Sequence, residues 1–115
     1  SKCTNYAKLI GDNCFIFEDN TIQPLVEIGN NCILWSGNHI GHHSKIENNV
    51  FISSHVVISG HCKIGSYSFL GVNSTLRDSI EIAEDTLLGA GCLIVKNTIK
   101  NKTYIGTKAS LIPTK

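Results

Sequence analysis

The feature that most constrains this chain is a six-residue period. Counting in sixes from Ile10 lands on Ile10, Ile16, Ile22, Ile28, Leu34, Ile40, Ile46, Ile52, Ile58, Ile64, Leu70, Leu76, Ile82, Leu88 and Ile94, an Ile or Leu in every place. A helix of about 3.6 residues per turn would carry such anchors around its axis, so no single helical face could bury them. Short extended segments with a sharp turn inside every six residues can. Four residues after each anchor the side chain is usually small or β-branched: Cys14, Val26, Cys32, Ser44, Val50, Val56, Cys62, Ser68, Ser74, Thr86, Cys92 and Thr98. Asn20 and Asn38 are polar exceptions, and Ile80 is a bulky one.

Glycine often follows the anchor directly, as at Gly11, Gly29, Gly41, Gly65, Gly71 and Gly89. A short repeat of this kind cannot bury its apolar side alone, and stacking of neighbours creates the core. The expected fold is therefore all-β, a parallel β-helix. The pattern resembles the hexapeptide-repeat family, which implies three hexads per coil, a left-handed winding and about five coils. Residues eighteen apart would then lie one above another, about 4.8 Å apart, the spacing of paired strands. Residues 10–99 are expected to form this domain. Residues 1–9 read as a lead-in that would suit attachment to a domain outside this sequence, and residues 100–115 as a C-terminal tail after the register breaks at Lys100-Asn101-Lys102.

Composition narrows the function classes. A net charge of +1 over 115 residues implies no general attraction to nucleic acid or to a membrane surface. No apolar run approaches a membrane span, and no signal peptide is visible. Five cysteines are present, but Cys14, Cys32, Cys62 and Cys92 all fall on the small inward position. There a thiol packs as a compact hydrophobe, so reduced core thiols in a cytoplasmic protein are expected. No C-x-x-C spacing exists for a cysteine zinc site. After Asp85 the chain has no acidic residue but five lysines, Lys96, Lys100, Lys102, Lys108 and Lys115. They form either a solvated end or a site for a phosphorylated ligand.

All five histidines lie between His39 and His61. Folded in coils of eighteen, His43 and His61 share a column, and His42 shares one with Gly60 and Asp78. A neutral imidazole can take a proton from an attacking amine or hydroxyl. A glycine one coil away lets a thioester come close and offers a backbone N–H to an oxyanion. His42 and Gly60 are thus candidates for acyl transfer.

The stretch Ile40-Gly41-His42-His43-Ser44-Lys45-Ile46-Glu47-Asn48 resembles the catalytic segment of the bacterial hexapeptide acetyltransferases that modify nucleotide-linked amino sugars and sialic acids, which include the bacillosamine N-acetyltransferases. The runs Lys63 to Leu76 and Leu88 to Asn97 are similar to that family's acetyl-CoA groove, and the likeness extends from Ile10 to about Ile112. The resemblance implies an acetyl-CoA-dependent transferase with His42 as general base, His43 beside it, and Gly60 at the thioester carbonyl. It also implies that Gly71, Gly89, Ala90 and Lys96 contact acetyl-CoA, that Asn38, His39 and His55 line the acceptor side, and that the protein is a homotrimer needing no metal. The acceptor would be an amino group of a nucleotide-linked amino-deoxy sugar. Three departures stand out. His43 replaces the usual carboxylate after the histidine, Gly106-Thr107-Lys108-Ala109-Ser110 replaces a Gly-x-Pro-Ala-Lys motif, and the family's N-terminal nucleotide-sugar domain is not in this sequence. O-acetylation of a sugar hydroxyl, a zinc enzyme like the γ-class carbonic anhydrases using His43 and His61, and a purely structural module remain as alternatives.

Overall fold

The computed structural model describes residues 9–113. Within them the chain forms sixteen two-residue strands in three parallel sheets. The first sheet stacks Leu9–Ile10, Glu27–Ile28, Lys45–Ile46, Lys63–Ile64 and Glu81–Ile82. The second stacks Phe15–Ile16, Ile33–Leu34, Phe51–Ile52, Phe69–Leu70, Leu87–Leu88 and Thr103–Tyr104. The third stacks Thr21–Ile22, His39–Ile40, Val57–Ile58, Thr75–Leu76 and Leu93–Ile94. The chain visits the sheets in rotation, so the fold is a parallel β-helix of about five coils, and its six-residue repeat fits a left-handed winding.

The anchor is the second residue of every strand through Ile94, and it points inward. All the anchors are buried except Ile10 and Ile16, which are partly covered at the open end. Partners along each sheet are eighteen residues apart, for example Ile28↔Ile46 and Ile46↔Ile64. Burying each Ile or Leu contributes about 1.5–3 kcal/mol against leaving it in water. The small position four residues later turns inward at each corner. Cys32, Cys62 and Cys92 are buried there as free thiols, and burial pushes all three pKa values up, that of Cys32 to about 11. Cys14, half-buried, is also free; Cys3 lies outside the described residues.

The corners need left-handed backbone, and most of the residues there are not glycine. Asn13, Asn31 and Asn49 sit at φ of 58° to 61° on one corner, and Leu25, His43, His61 and Ser79 occupy the equivalent column of another. Asn tolerates this region better than most residues.

Beyond Ile94 the register slips. Thr103–Tyr104 returns to the second sheet, but Tyr104 pairs with Leu88, sixteen residues away instead of eighteen. The first part of the tail is therefore a further rung. Tyr104 packs on the core, and its hydroxyl accepts the Ile99 N–H at 2.9 Å.

Candidate active site at the histidine corner

The third sheet hands the chain to the first through a corner repeated at 23–26, 41–44, 59–62 and 77–80. On that corner His42 and His43 lie on one coil, with Gly60 and His61 above them on the next. All three imidazoles are exposed. His42 Nδ1 is 3.1 Å from His43 Nδ1. The His42 ring stands edge-on to the His61 ring at 5.0 Å, while His43 and His61 stack at 4.7 Å, nearly parallel.

Gly60 makes this arrangement possible. A Cβ built on it would lie 2.8 Å from both Cε1 and Nε2 of His42, closer than nonbonded carbon tolerates. The imidazole therefore rests directly on bare backbone. The Gly60 carbonyl accepts from Ser79 N–H at 2.9 Å, and among the described residues no acceptor meets its own N–H. The His42 backbone is fixed too, since its N–H donates to Gln23 Oε1 at 2.9 Å and its carbonyl accepts from His61 N–H. One edge of His42, carrying Nδ1, faces His43, while the edge carrying Nε2 faces Gly60. A neutral His42 with its proton on Nδ1 donates to His43 and leaves Nε2 free to accept. His43 can thus orient the imidazole in the way a carboxylate usually does.

The other expected site residues are distributed unevenly. Lys96 stands in the same column as His42 and Gly60, three coils on from His42, and lines an open groove of about 310 Å³ with Val95, Asn97 and Tyr104. Gly71, Gly89 and Ala90 lie instead on the corner between the second and third sheets. One chain does not bring them to His42. His39 is half-buried on the outer row of the third sheet, paired with Thr21 and Val57, on the face between those two corners.

Asn38 requires a correction. It is 1% exposed and points into the prism, not toward an acceptor. Its carboxamide is taken by the backbone: Nδ2 donates to Trp35 O at 3.0 Å, and Oδ1 accepts from Val56 N–H at 2.8 Å. It stands fourth after an anchor, the inward position, and an amide there can only serve the corner. His55 is also remote from the histidine corner, with its ring over Gly37.

Two groups carry more than the spacing suggested. His61 completes a three-imidazole cluster with His42 and His43, although only its shared column with His43 is evident from the sequence. The second sheet bears an aromatic row outside: Phe17 stacks on Trp35 at 4.7 Å, and Phe51 stacks on Phe69 at 5.0 Å. Its signal is an eighteen-residue recurrence one place before or after the anchor.

The geometry defines a β-helix whose corner joins a proton acceptor to an open backbone amide. Comparison with known families bears on the repeat. The repeat described as bacterial transferase hexapeptide (six repeats) matches residues 25–60 and 43–78, and the hexapeptide repeat of succinyl-transferase matches residues 62–96. Together they span 25–96, well over half of the chain, which belongs to the bacterial transferase hexapeptide family.

No curated protein matches the sequence. Among solved structures, the acetyltransferase domain of PglB from Neisseria gonorrhoeae superposes with a TM-score of 0.65 at 19% identity, covering 85% of this chain and 51% of that one. The same domain in complex with acetyl coenzyme A gives 0.64 at 18% identity, covering 88% and 55%. Serine acetyltransferase isoform 3 from Entamoeba histolytica, in complex with cysteine, gives 0.53 at 19% identity, covering 93% and 36%. The chain thus spans about half the length of the PglB domain and a smaller share of the serine enzyme. No helix among the described residues is long and apolar enough to cross a membrane.

Proposed function

We propose that this chain carries the catalytic β-helix of an acetyl-CoA-dependent N-acetyltransferase, acting on the amino group of a nucleotide-linked amino-deoxy sugar. What supports the reading above all is the contact of His42 with Gly60, an imidazole nitrogen beside an unpaired backbone N–H. The PglB domain, which has been solved with acetyl coenzyme A, supports the choice of cosubstrate. His42 Nε2 takes the proton as the substrate amine attacks the thioester carbonyl. Gly60 N–H donates to the oxyanion of the tetrahedral intermediate, which then collapses with the CoA thiolate as leaving group. His43 Nδ1 accepts the His42 Nδ1–H throughout and holds the ring in register.

Gly71, Gly89 and Ala90 are assigned to the pantetheine arm, Lys96 to the nucleotide end of acetyl-CoA, and His39 to the acceptor side. Because Gly71 and Gly89 lie on a different corner from His42, the complete site needs a second copy of the chain, and a homotrimer supplies one. The exposed row of Phe15, Phe17, Trp35, Phe69 and Leu87 on the second sheet supports such packing, since apolar patches of this extent commonly mark interfaces.

The deciding experiment measures thiol release from acetyl-CoA with a panel of nucleotide-linked amino sugars, for the chain and for His42→Ala. Removal of a general base should lower turnover about 10²–10⁴-fold while assembly and CoA affinity persist. Turnover close to that of the unsubstituted chain would remove His42 from this role.

A further inference from the structure

We propose that His42, His43 and His61 form a binding site for one divalent transition-metal ion of the zinc class, and that its occupancy silences the His42 base. The second half rests on the acetyl-transfer reading; the first does not.

Each ring offers a nitrogen, and the three candidate donor atoms all lie within 4.8 Å of one another. Nδ1 of His42 lies 3.1 Å from Nδ1 of His43. A tetrahedral zinc with bonds of about 2.0–2.1 Å holds its nitrogens about 3.4 Å apart. Side-chain rotation on an exposed corner covers the remaining difference. Imidazole suits zinc, copper and nickel, and three such ligands leave a fourth position for water. All three come from one chain, two from one coil and one from the next, so the site does not depend on assembly.

The fold does not impose these residues. The column of His43 and His61 accepts Leu25 one coil before and Ser79 one coil after, all four with left-handed backbone. Two stacked imidazoles beside a third are therefore a local feature of this corner. The Nδ1···Nδ1 contact between His42 and His43 holds one proton at most, so at least one lone pair is turned into the cluster. A divalent cation accepts a lone pair from each ring.

The link to the base follows from proton placement. A neutral imidazole has one N–H and one lone pair. With His42 Nδ1 bound to the ion, its proton stands on Nε2, the nitrogen beside Gly60. That nitrogen then has no lone pair for the amine proton. The ion also displaces the hydrogen bond by which His43 orients the ring.

The test uses the whole chain and zinc alone, titrated by calorimetry without acetyl-CoA, with cobalt(II) absorption as a second readout of ligation. One ion per chain is expected. His61→Asn and His43→Asn should each weaken binding at least about tenfold, whereas His55→Asn, on another corner, should not. Unchanged affinity in His61→Asn, or equal weakening in His55→Asn, overturns the site. In the acetyl-transfer assay zinc should slow turnover, a chelator should restore it, and His61→Asn should move the inhibition to at least about tenfold higher zinc. Zinc binding with no change in turnover overturns the silencing. Full turnover in His42→Ala instead overturns the acetyl-transfer reading, and the calorimetric result stands apart from it.

Discussion

Two corners of the prism use polar residues in opposite ways. Between the first and second sheets the corner is lined with asparagines, and their amides serve the solenoid. Asn30 Oδ1 accepts from Asp12 N–H at 2.8 Å, Asn48 Oδ1 accepts from Asn30 N–H at 2.7 Å, and Asn13 Nδ2 donates to Asn31 Oδ1 at 2.8 Å. Between the third and first sheets the equivalent places hold histidines, whose ring nitrogens face one another and solvent. Backbone conformation is the same at both, with Asn31 at φ 58° and His43 at φ 59°. Equal geometry with unequal use of the side chain separates the scaffold from the proposed site here. A polar group that satisfies the backbone one coil away holds the stack together, and one that leaves its capacity outward is available to a ligand.

The largest test of that division is substitution at the histidine corner. His42→Ala should cost turnover by the factor given above, with the thermal transition little moved, because the ring is exposed and carries no coil-to-coil bond through its side chain. Gly60→Ala should act nearly as strongly by a different route. Its methyl would occupy space now held by His42 Cε1 and Nε2, so the ring must swing away from the amide. A tenfold or greater fall in turnover with CoA affinity retained is expected, about 1.4 kcal/mol or more in the barrier. If Gly60→Ala turns over normally, contact between His42 and Gly60 has no part in the reaction.

A change of intermediate size comes from the buried amides. Asn38→Ala strips an acceptor from Val56 N–H and a donor from Trp35 O inside the wall. Trp35 O keeps its bond from Asn20 Nδ2 at 2.6 Å, but leaving the buried Val56 N–H unmatched should lower unfolding free energy by about 1–3 kcal/mol, read by chemical denaturation. Any loss of turnover should follow the loss of folded protein. A selective rise in acceptor KM in a fully folded Asn38→Ala would return this residue to the substrate side.

Much of this was legible in the chain. The Ile and Leu anchors and the inward position four residues later predict nearly all of the buried core from Ile22 to Ile94, while the three-sided coil is what the resemblance to the hexapeptide-repeat family implies. The inward rule that places Cys32 and Cys62 also places Asn38, and that position is incompatible with the acceptor side. The column of eighteen puts His42, Gly60 and Lys96 on one corner, and the same arithmetic puts Gly71 and Gly89 on another. Ring orientation was not legible. Whether His61 turns toward His42 or away depends on side-chain torsions that spacing does not encode. The slip from eighteen to sixteen at Tyr104 was visible only as a break, since nothing in Lys100-Asn101-Lys102 specifies where pairing resumes.

The smallest and sharpest comparison substitutes the same residue type at both corners. Asn31→Gly removes one exposed hydrogen bond but introduces the residue best suited to φ near 58°, so stability should change by no more than about 0.5 kcal/mol. Asn31→Ala keeps the steric demand of a Cβ in left-handed backbone and should cost about 1 kcal/mol. His43→Gly is the matching change on the other corner. Its stability effect should be as small as that of Asn31→Gly, because neither side chain bonds the backbone of a neighbouring coil and both backbones are relieved in the same way. Turnover should part the two: unchanged in Asn31→Gly, and lowered in His43→Gly as His42 loses the group that holds its Nδ1 proton. Equal activity in the two variants would mean that the imidazole beside His42 contributes nothing to its orientation, and the histidine corner would then differ from the asparagine corner only in composition.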